Sequence, residues 1–319
     1  MKKGKILVTG GAGFIGSNIV EELVAMNKEV VILDDFSTGF DHFLTPFKKK
    51  ISVVKGDIRD PKATKKAMKD VRVVIHQAAI RSVPKSVDNP FYSHEVNGTG
   101  TLVLLSEAIK AGVKRFVYAS SSSVYGNVDK FPQVESDTLS PLSPYGVSKL
   151  CGENYCHAYH AIYGLETVAL RYFNVYGPRQ NPESLYSAVV PAFIDKVRRG
   201  QRPVIDGDGK QSRDFTYVKD VARANIQAAL TANKVGGESF NIASGHDYSV
   251  NQILELICKN LNKKCNPIFG PRRKGDALRT YANISKAKKL LDWTPQISLQ
   301  QGLERTIQWF LANDVKQLS

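Results

Sequence analysis

The stretch KILVTGGAGFIGS, Lys5 to Ser17, decides the architecture. KILVTG is a β-branched apolar run that ends in glycine, and IVEELVAM, Ile19 to Met26, carries apolar residues at helical spacing. Strand, tight turn and helix therefore follow one another directly. Between them Gly10, Gly13 and Gly16 are spaced GxxGxxG. Glycine is needed where a chain turns tightly and where its backbone must approach a pyrophosphate, whose charge then rests at the helix N-terminus. A glycine triplet alone is a weak signal; set between a strand and a helix it predicts a dinucleotide site.

Outward from that stretch the pattern repeats. VVILDD (Val30–Asp35), ISVVKGD (Ile51–Asp57), VRVVIHQAA (Val71–Ala79), KRFVYASSS (Lys114–Ser122) and LETVALRYF (Leu165–Phe173) read as buried strands. ATKKAMKD (Ala63–Asp70), TGTLVLLSEAIKAG (Thr99–Gly112) and the segment from Tyr145 to Tyr163 read as helices. Strands alternating with helices predict an α/β fold, a doubly wound parallel Rossmann sheet. Past the last strand the texture shifts to loops such as PRQNPES, DGDGKQSRD and FGPRRKGDA, which predicts a smaller C-terminal α/β domain. The expected division gives residues 1–172, with about 215–243, to the dinucleotide unit, and residues 173–214 and 244–319 to the second unit.

The second strand ends in Asp34 and Asp35. A carboxylate there accepts ribose hydroxyls and repels a 2′-phosphate, so NAD is expected over NADP. In SPYGVSK, Ser143 to Lys149, Tyr145 and Lys149 stand four apart and share one helix face. A phenol of pKa near 10 is a poor base at neutral pH, and an adjacent ammonium stabilises its phenolate. ASSSSVYG ends the fifth strand with hydroxyls at Ser120 to Ser123, on the side where such sheets bind ligands. Base, cation and hydroxyl together point to oxidation of an alcohol.

Composition sets the limits. No run approaches the roughly 20 apolar residues of a membrane span, and the N-terminus enters a strand at once, so a cytoplasmic protein is expected. Cys151, Cys156, Cys258 and Cys265 show no CxxC, and four reduced thiols with no metal are expected. His76 reads as a hydrogen-bonded core residue, and His157 and His160 lack partners at metal-ligand spacing. The net charge of +14 raises a nucleic-acid reading, but the basic residues come in short scattered runs, and a small anionic substrate suits the same field.

TGGAGFIGS, HQAA, SSSSVYG, YGVSK, RYFNVYGPRQ, DGDGKQSRDFTYVKDVA and RRKGD together resemble the extended short-chain dehydrogenase/reductases, in particular the NAD-dependent UDP-sugar 4-epimerases. The resemblance implies Tyr145 as acid/base, Lys149 as its partner and Ser121 as the catalytic hydroxyl, with Ser122 and Ser123 beside it. It extends the NAD set to Phe14, Ile15, Phe36, Ser37, Thr38, Gly39, Asp57, Ile58, Gln77, Ala78, Ala79, Tyr172 and Val175. Substrate residues are implied at Arg81, Ser82, Asn174, Ala188, Val189, Arg213, Arg273, Asp276 and Thr280. The implied reaction inverts C4 of a UDP-hexose through a 4-keto sugar. The serine-only strand end lacks the Asp-Glu pair of dehydratase relatives and the glutamate of decarboxylases. Thr280, where galactose-specific enzymes are expected to carry tyrosine, favours UDP-GlcNAc and UDP-GalNAc; the alternatives are a strict UDP-glucose enzyme, a UDP-glucuronate enzyme, or an NAD- or RNA-binding module. A homodimer through the helices TGTLVLLSEAI and CGENYCHAYHAIY is expected.

Overall fold

The computed structural model describes residues 4–181, 188–272 and 278–313. Arg273 and Asp276 lie outside the described residues. In chain order the first half comprises β1 (Lys5–Thr9), α1 (Phe14–Ala25), β2 (Val30–Asp34), β3 (Ile51–Lys55), α2 (Pro61–Ala67), β4 (Val71–His76), α3 (Val83–Asp88), α4 (Pro90–His94), α5 (Gly100–Ala111), β5 (Arg115–Ser121), α6 (Pro144–Tyr163) and β6 (Glu166–Tyr172). There follow β7 (Val175–Tyr176), α7 (Val189–Arg198), β8 (Val204–Asp206), β9 (Ser212–Asp214), β10 (Thr216–Tyr217), α8 (Val218–Leu230), β11 (Glu238–Ile242), β12 (Asp247–Ser249), α9 (Val250–Asn260), β13 (Ile268–Gly270), β14 (Arg279–Thr280), α10 (Ser285–Leu291) and α11 (Leu299–Ala312).

Seven strands form one parallel sheet in the order β11-β6-β5-β4-β1-β2-β3. Strand order reverses between β1 and β4, which opens a crevice beyond their carboxyl ends. β1, β2, β4 and β5 are almost wholly buried because helices cover both faces, so their residues are apolar without alternation. One apolar cluster fills the face under α1 and α8 with Ile19, Leu23, Val221 and Phe240; another fills the face under α2, α5 and α6 with Leu104, Phe116 and Cys156. A third, of Phe193, Ile253, Ile257, Leu303 and Phe310, joins α7, α9 and α11.

One feature departs from the sequence expectations. Cys258 and Cys265 are joined as a disulfide, with Cα atoms 5.8 Å apart, while Cys151 and Cys156 are free. The chain reverses after α9, where Asn262 takes a positive φ of 50°, and this brings Cys265 back onto the helix. A π-helical turn, Glu95–Thr99, also precedes α5. Its extra residue turns Asn97 inward.

Candidate active site

The crevice is a cleft whose walls run from Gly10 through Asp34 and Asp57 to Tyr145 and Lys149. Its floor is the glycine turn. Gly10 has φ +65°, and a Cβ there would lie 2.7 Å from Ala78 N; a Cβ on Gly16 would lie 2.0 Å from the Gly10 carbonyl oxygen. Only glycine fits, and the fit draws the start of α1 against β1. Gly13 caps α1 with no side-chain hydrogen bond, and the first turn carries no acid. The helix's first N–H groups are left for an anion, as a pyrophosphate requires.

Asp34 holds this turn in shape: its carboxylate accepts from Ala12 N at 2.8 Å and Phe36 N at 2.9 Å. Burial nevertheless raises its pKa. Asp35 is exposed and caps its own turn by accepting from Ser37 N and Oγ. At the far edge Arg59 clasps Asp57 through Nη2 at 2.6 Å, and that pairing keeps the Asp57 carboxylate below the usual range. Gly10, Gly13, Phe14, Ile15, Gly16, Asp34, Asp35, Ser37, Thr38, Gly39, Asp57, Ile58, Gln77, Ala78, Ala79 and Tyr172 all line the cleft.

Phe36 and Val175 are not among the lining residues. Phe36 turns at φ +61° to feed its N–H to Asp34, and Val175 sits in the β7–β10 pair against the apolar clusters. Ser120, read from sequence with the strand-end hydroxyls, lines the cleft too, and Leu33, Ile80, Tyr92, Val96 and Ala119 line it without having been read from sequence. Most of these are apolar and carry no motif; strand-end position was the available signal.

Helix α6 opens with Ser143, whose hydroxyl accepts from Gly146 N at 3.1 Å, and Pro144 at its first position. Ser86 of α3 takes the free Tyr145 N–H at 3.0 Å. Gly146 passes close to the Ser123 carbonyl and Gly152 close to Tyr118, so the helix lies hard on the end of β5. This seats Tyr145 beside Ser121, whose hydroxyl donates to Ser123 Oγ at 3.2 Å. Burial raises the Tyr145 pKa; Ser121 and the Arg81 guanidinium oppose it. Lys149 is 4% exposed, donates Nζ to the Ala119 carbonyl at 2.8 Å and lies 5.1 Å from the Tyr118 ring. Burial lowers its pKa to about 7.

Tyr145 and Lys149 therefore line the cleft at its β5 end, with Ser121 next to them but not among the lining residues. Asn97 fixes the opposite wall: its side chain accepts from Ile80 N at 2.8 Å and donates to the Ile80 carbonyl and to Ser148 Oγ, both at 3.0 Å. Arg81 follows Ile80 into the cleft. The cleft walls push its pKa down, although the side chain still reaches solvent. Ser82 caps α3 by accepting from Lys85 N.

Asn174, Arg213 and Thr280 also come together. Asn174 Nδ2 donates to the Asp214 carbonyl at 3.0 Å and to Thr280 Oγ1 at 3.3 Å, and Thr280 pairs in register with Arg213. Arg213 Nη1 donates to the Ser212 carbonyl. Ala188 and Val189 stand at the start of α7, and Ser122 and Ser123 in the turn after β5. His76 is a core residue, held between Thr9 Oγ1 at 2.7 Å and Thr101 Oγ1 at 3.0 Å, and burial lowers its pKa to about 3. His157 meets Ser239, and His160 the Leu165 carbonyl. Among the described residues no cluster suits a metal, and no helix is long and apolar enough to cross a membrane.

The pattern of the NAD dependent epimerase/dehydratase family matches residues 6–243. The chain belongs to that family. It is 43% identical to a putative UDP-glucose 4-epimerase of Methanocaldococcus jannaschii, over 97% of this chain and 99% of that protein. The crystal structure of UDP-glucose 4-epimerase with UDP-glucose from Thermotoga maritima superposes with a TM-score of 0.92 at 38% identity, covering 97% of this chain and 99% of that one. A UDP-N-acetylglucosamine 4-epimerase from Methanobrevibacter ruminantium, in complex with UDP-N-acetylmuramic acid, gives 0.93 at 37% identity, covering 98% and 99%. As a member of this NAD-dependent family the protein is an enzyme of the isomerase type, and the glycine cradle fits its cofactor.

Proposed function

We propose that this enzyme inverts the C4 hydroxyl of a UDP-hexose. The observation that carries the reading is that Tyr145 and Lys149 line the NAD cleft beside a strand end that offers hydroxyls and no carboxylate. Proton abstraction at C4 needs one base. Elimination or decarboxylation after the keto sugar would need an acid or a second base, and Ser121 to Ser123 supply neither.

Bound NAD supplies the hydride acceptor and returns the hydride. Tyr145 takes the proton of the C4 hydroxyl, Ser121 steers that oxygen, and Lys149 supplies positive charge one helical turn away. Tyr145 then returns the proton after the keto sugar has presented its other face. Such a turnover demands firm anchoring of UDP and loose holding of the hexose. Asn174 and Arg213, with Arg273 and Asp276, are assigned to the anchor, and Thr280 to the hexose.

Thr280 is short, and its hydroxyl is engaged by Asn174, which leaves width for an acetamido group. UDP-GlcNAc and UDP-GalNAc are the proposed pair, with UDP-glucose and UDP-galactose as secondary substrates. Residues 1–172 with 215–243 would hold NAD, and the remainder the sugar nucleotide. The exposed Val147, Ile162 and Tyr163 on α6 support a homodimer through that helix and α5, in the cytoplasm.

The test is an NMR time course of UDP-GlcNAc and, separately, UDP-glucose with purified protein and no added NAD. Formation of the 4-epimer is expected from the first, more slowly from the second. Tyr145→Phe should lower the rate by roughly 10²–10⁴-fold while NAD stays bound. Conversion of UDP-glucose alone would overturn the acetamido assignment, and conversion of neither would overturn the reaction.

A further inference from the structure

Arg171 stands in a strand whose neighbours are apolar, and Glu153 follows Lys149 by one turn of α6; they are 3% and 0% exposed. Glu153 accepts from Arg171 Nη2 at 2.5 Å, Ser239 Oγ at 2.8 Å and Ser120 Oγ at 2.7 Å. A buried ion pair persists only when its remaining lone pairs are filled, and here they are. Arg171 Nη1 donates to the Tyr125 hydroxyl at 2.9 Å, and Tyr125 donates to Asn241 Oδ1 at 2.7 Å. Asn241 Nδ2 donates to the carbonyls of Gln133 and Asn283 at 3.1 and 3.3 Å. Gln133 N donates in turn to the Tyr281 carbonyl at 2.7 Å.

This chain begins at the neighbour of Ser121 and ends at the neighbour of Thr280. No ladder hydrogen bond joins those two strands, since β5 belongs to the seven-stranded sheet and β14 to the β12-β9-β14 sheet. The Tyr125 hydroxyl links the charged half of the chain to its amide half through side chains, alongside the β6–β11 pairing of Arg171 with Asn241 and the bonds both make to Glu135. Burial pushes this phenol up to about 12, so it stays a donor throughout the working range of pH.

We propose that Tyr125 is a positioning residue that fixes the distance between the Thr280 strand and the Ser121–Tyr145 pair, and so the register of the hexose against Tyr145. This rests on the sugar-epimerising reading. Tyr125→Phe removes the hydroxyl and keeps the ring. The expected result is a fall of at least about tenfold in kcat for the UDP-hexose, a good hydrogen bond misplaced by an ångström costing up to ~10² in rate. The dissociation constant of UDP alone and the retention of NAD should stay within about twofold, a bound chosen because Tyr125 is not among the residues that line the cleft. Amide exchange at Tyr281, Ala282 and Asn283 should accelerate while β1 and β4 keep their protection.

Unchanged kcat and unchanged exchange would overturn the proposal, as would equal weakening of UDP and UDP-hexose binding. Should Phe at position 125 prevent folding, Asn241→Ser breaks the next link and carries the same expectations. If the wild type turns over no UDP-hexose, the sugar reading fails, yet exchange at Tyr281–Asn283 still decides whether Tyr125 holds the strand.

Discussion

Gly152→Ala tests whether the contact of α6 with β5 sets the catalytic geometry. A Cβ at this position would lie 2.3 Å from the Tyr118 hydroxyl oxygen and 2.6 Å from its ring carbon Cζ. Ordinary contacts begin at 3.4 Å, so about 1 Å of movement must be found. Tyr118 cannot supply it: the ring is 1% exposed on a central strand, and its hydroxyl donates to the Lys149 carbonyl at 3.2 Å. Helix α6 must therefore lift, and it carries both Tyr145 and Lys149. Overpacking of this kind costs about 1–3 kcal/mol, which lowers the melting temperature by several degrees without unfolding the protein. A 1 Å displacement of a reacting group costs about 10²-fold in rate. The assay pairs a thermal melt with the NMR time course on UDP-GlcNAc. Tyr118→Phe in the same chain removes the nearest oxygen and should return part of the lost rate. Wild-type kcat and wild-type melting in Gly152→Ala would refute the reasoning, because the helix would then have room that the structure denies it.

Two further outcomes follow from the cleft. Gly16→Ala would drive a methyl into the Gly10 carbonyl at 2.0 Å, opening the turn; the protein should purify without NAD and melt lower, and retention of a full complement of NAD would count against the cradle. Lys149 titrates at about 7 when folded and near 10.4 unfolded, so the folded state binds fewer protons between those values and stability from this group rises with pH across the window. In NAD-stripped protein Lys149→Met should therefore be the more stable form at pH 6.5, by roughly 4–5 kcal/mol given about 1.4 kcal/mol per pKa unit, and lose most of that advantage by pH 10. Urea midpoints independent of pH would contradict this.

Much of this was legible before any coordinates. The glycine turn, the alternating strands and helices, the Tyr145–Lys149 face and the core role of His76 rest on local rules of spacing and sterics, and local rules survive in a sequence. The Cys258–Cys265 bond was not legible, because it depends on a reversal at Asn262 that no proline or glycine announces. Nor were Asn97 and the Glu153–Arg171 pair, whose partners are set by packing between distant elements. Arg171 carried a signal all the same: a guanidinium inside an apolar strand must have an anion waiting. Asp34 shows the opposite difficulty, since its motif was read as a ribose acceptor while its oxygens also brace the loop around it.

The last strand of the main sheet, β11, joins β6, although the chain between them builds β7 to β10 and two helices first. During synthesis β6 therefore leaves the ribosome as an open edge. Val168 and Leu170, 0% exposed in the finished protein, must wait for α8 and β11 to be made. At about 5–20 residues per second that interval lasts several seconds, far longer than the collapse of the strands already present. The nascent chain thus carries a sticky, hydrogen-bond-hungry border for that time, and the crowding of neighbouring ribosomes sets how often two such borders meet.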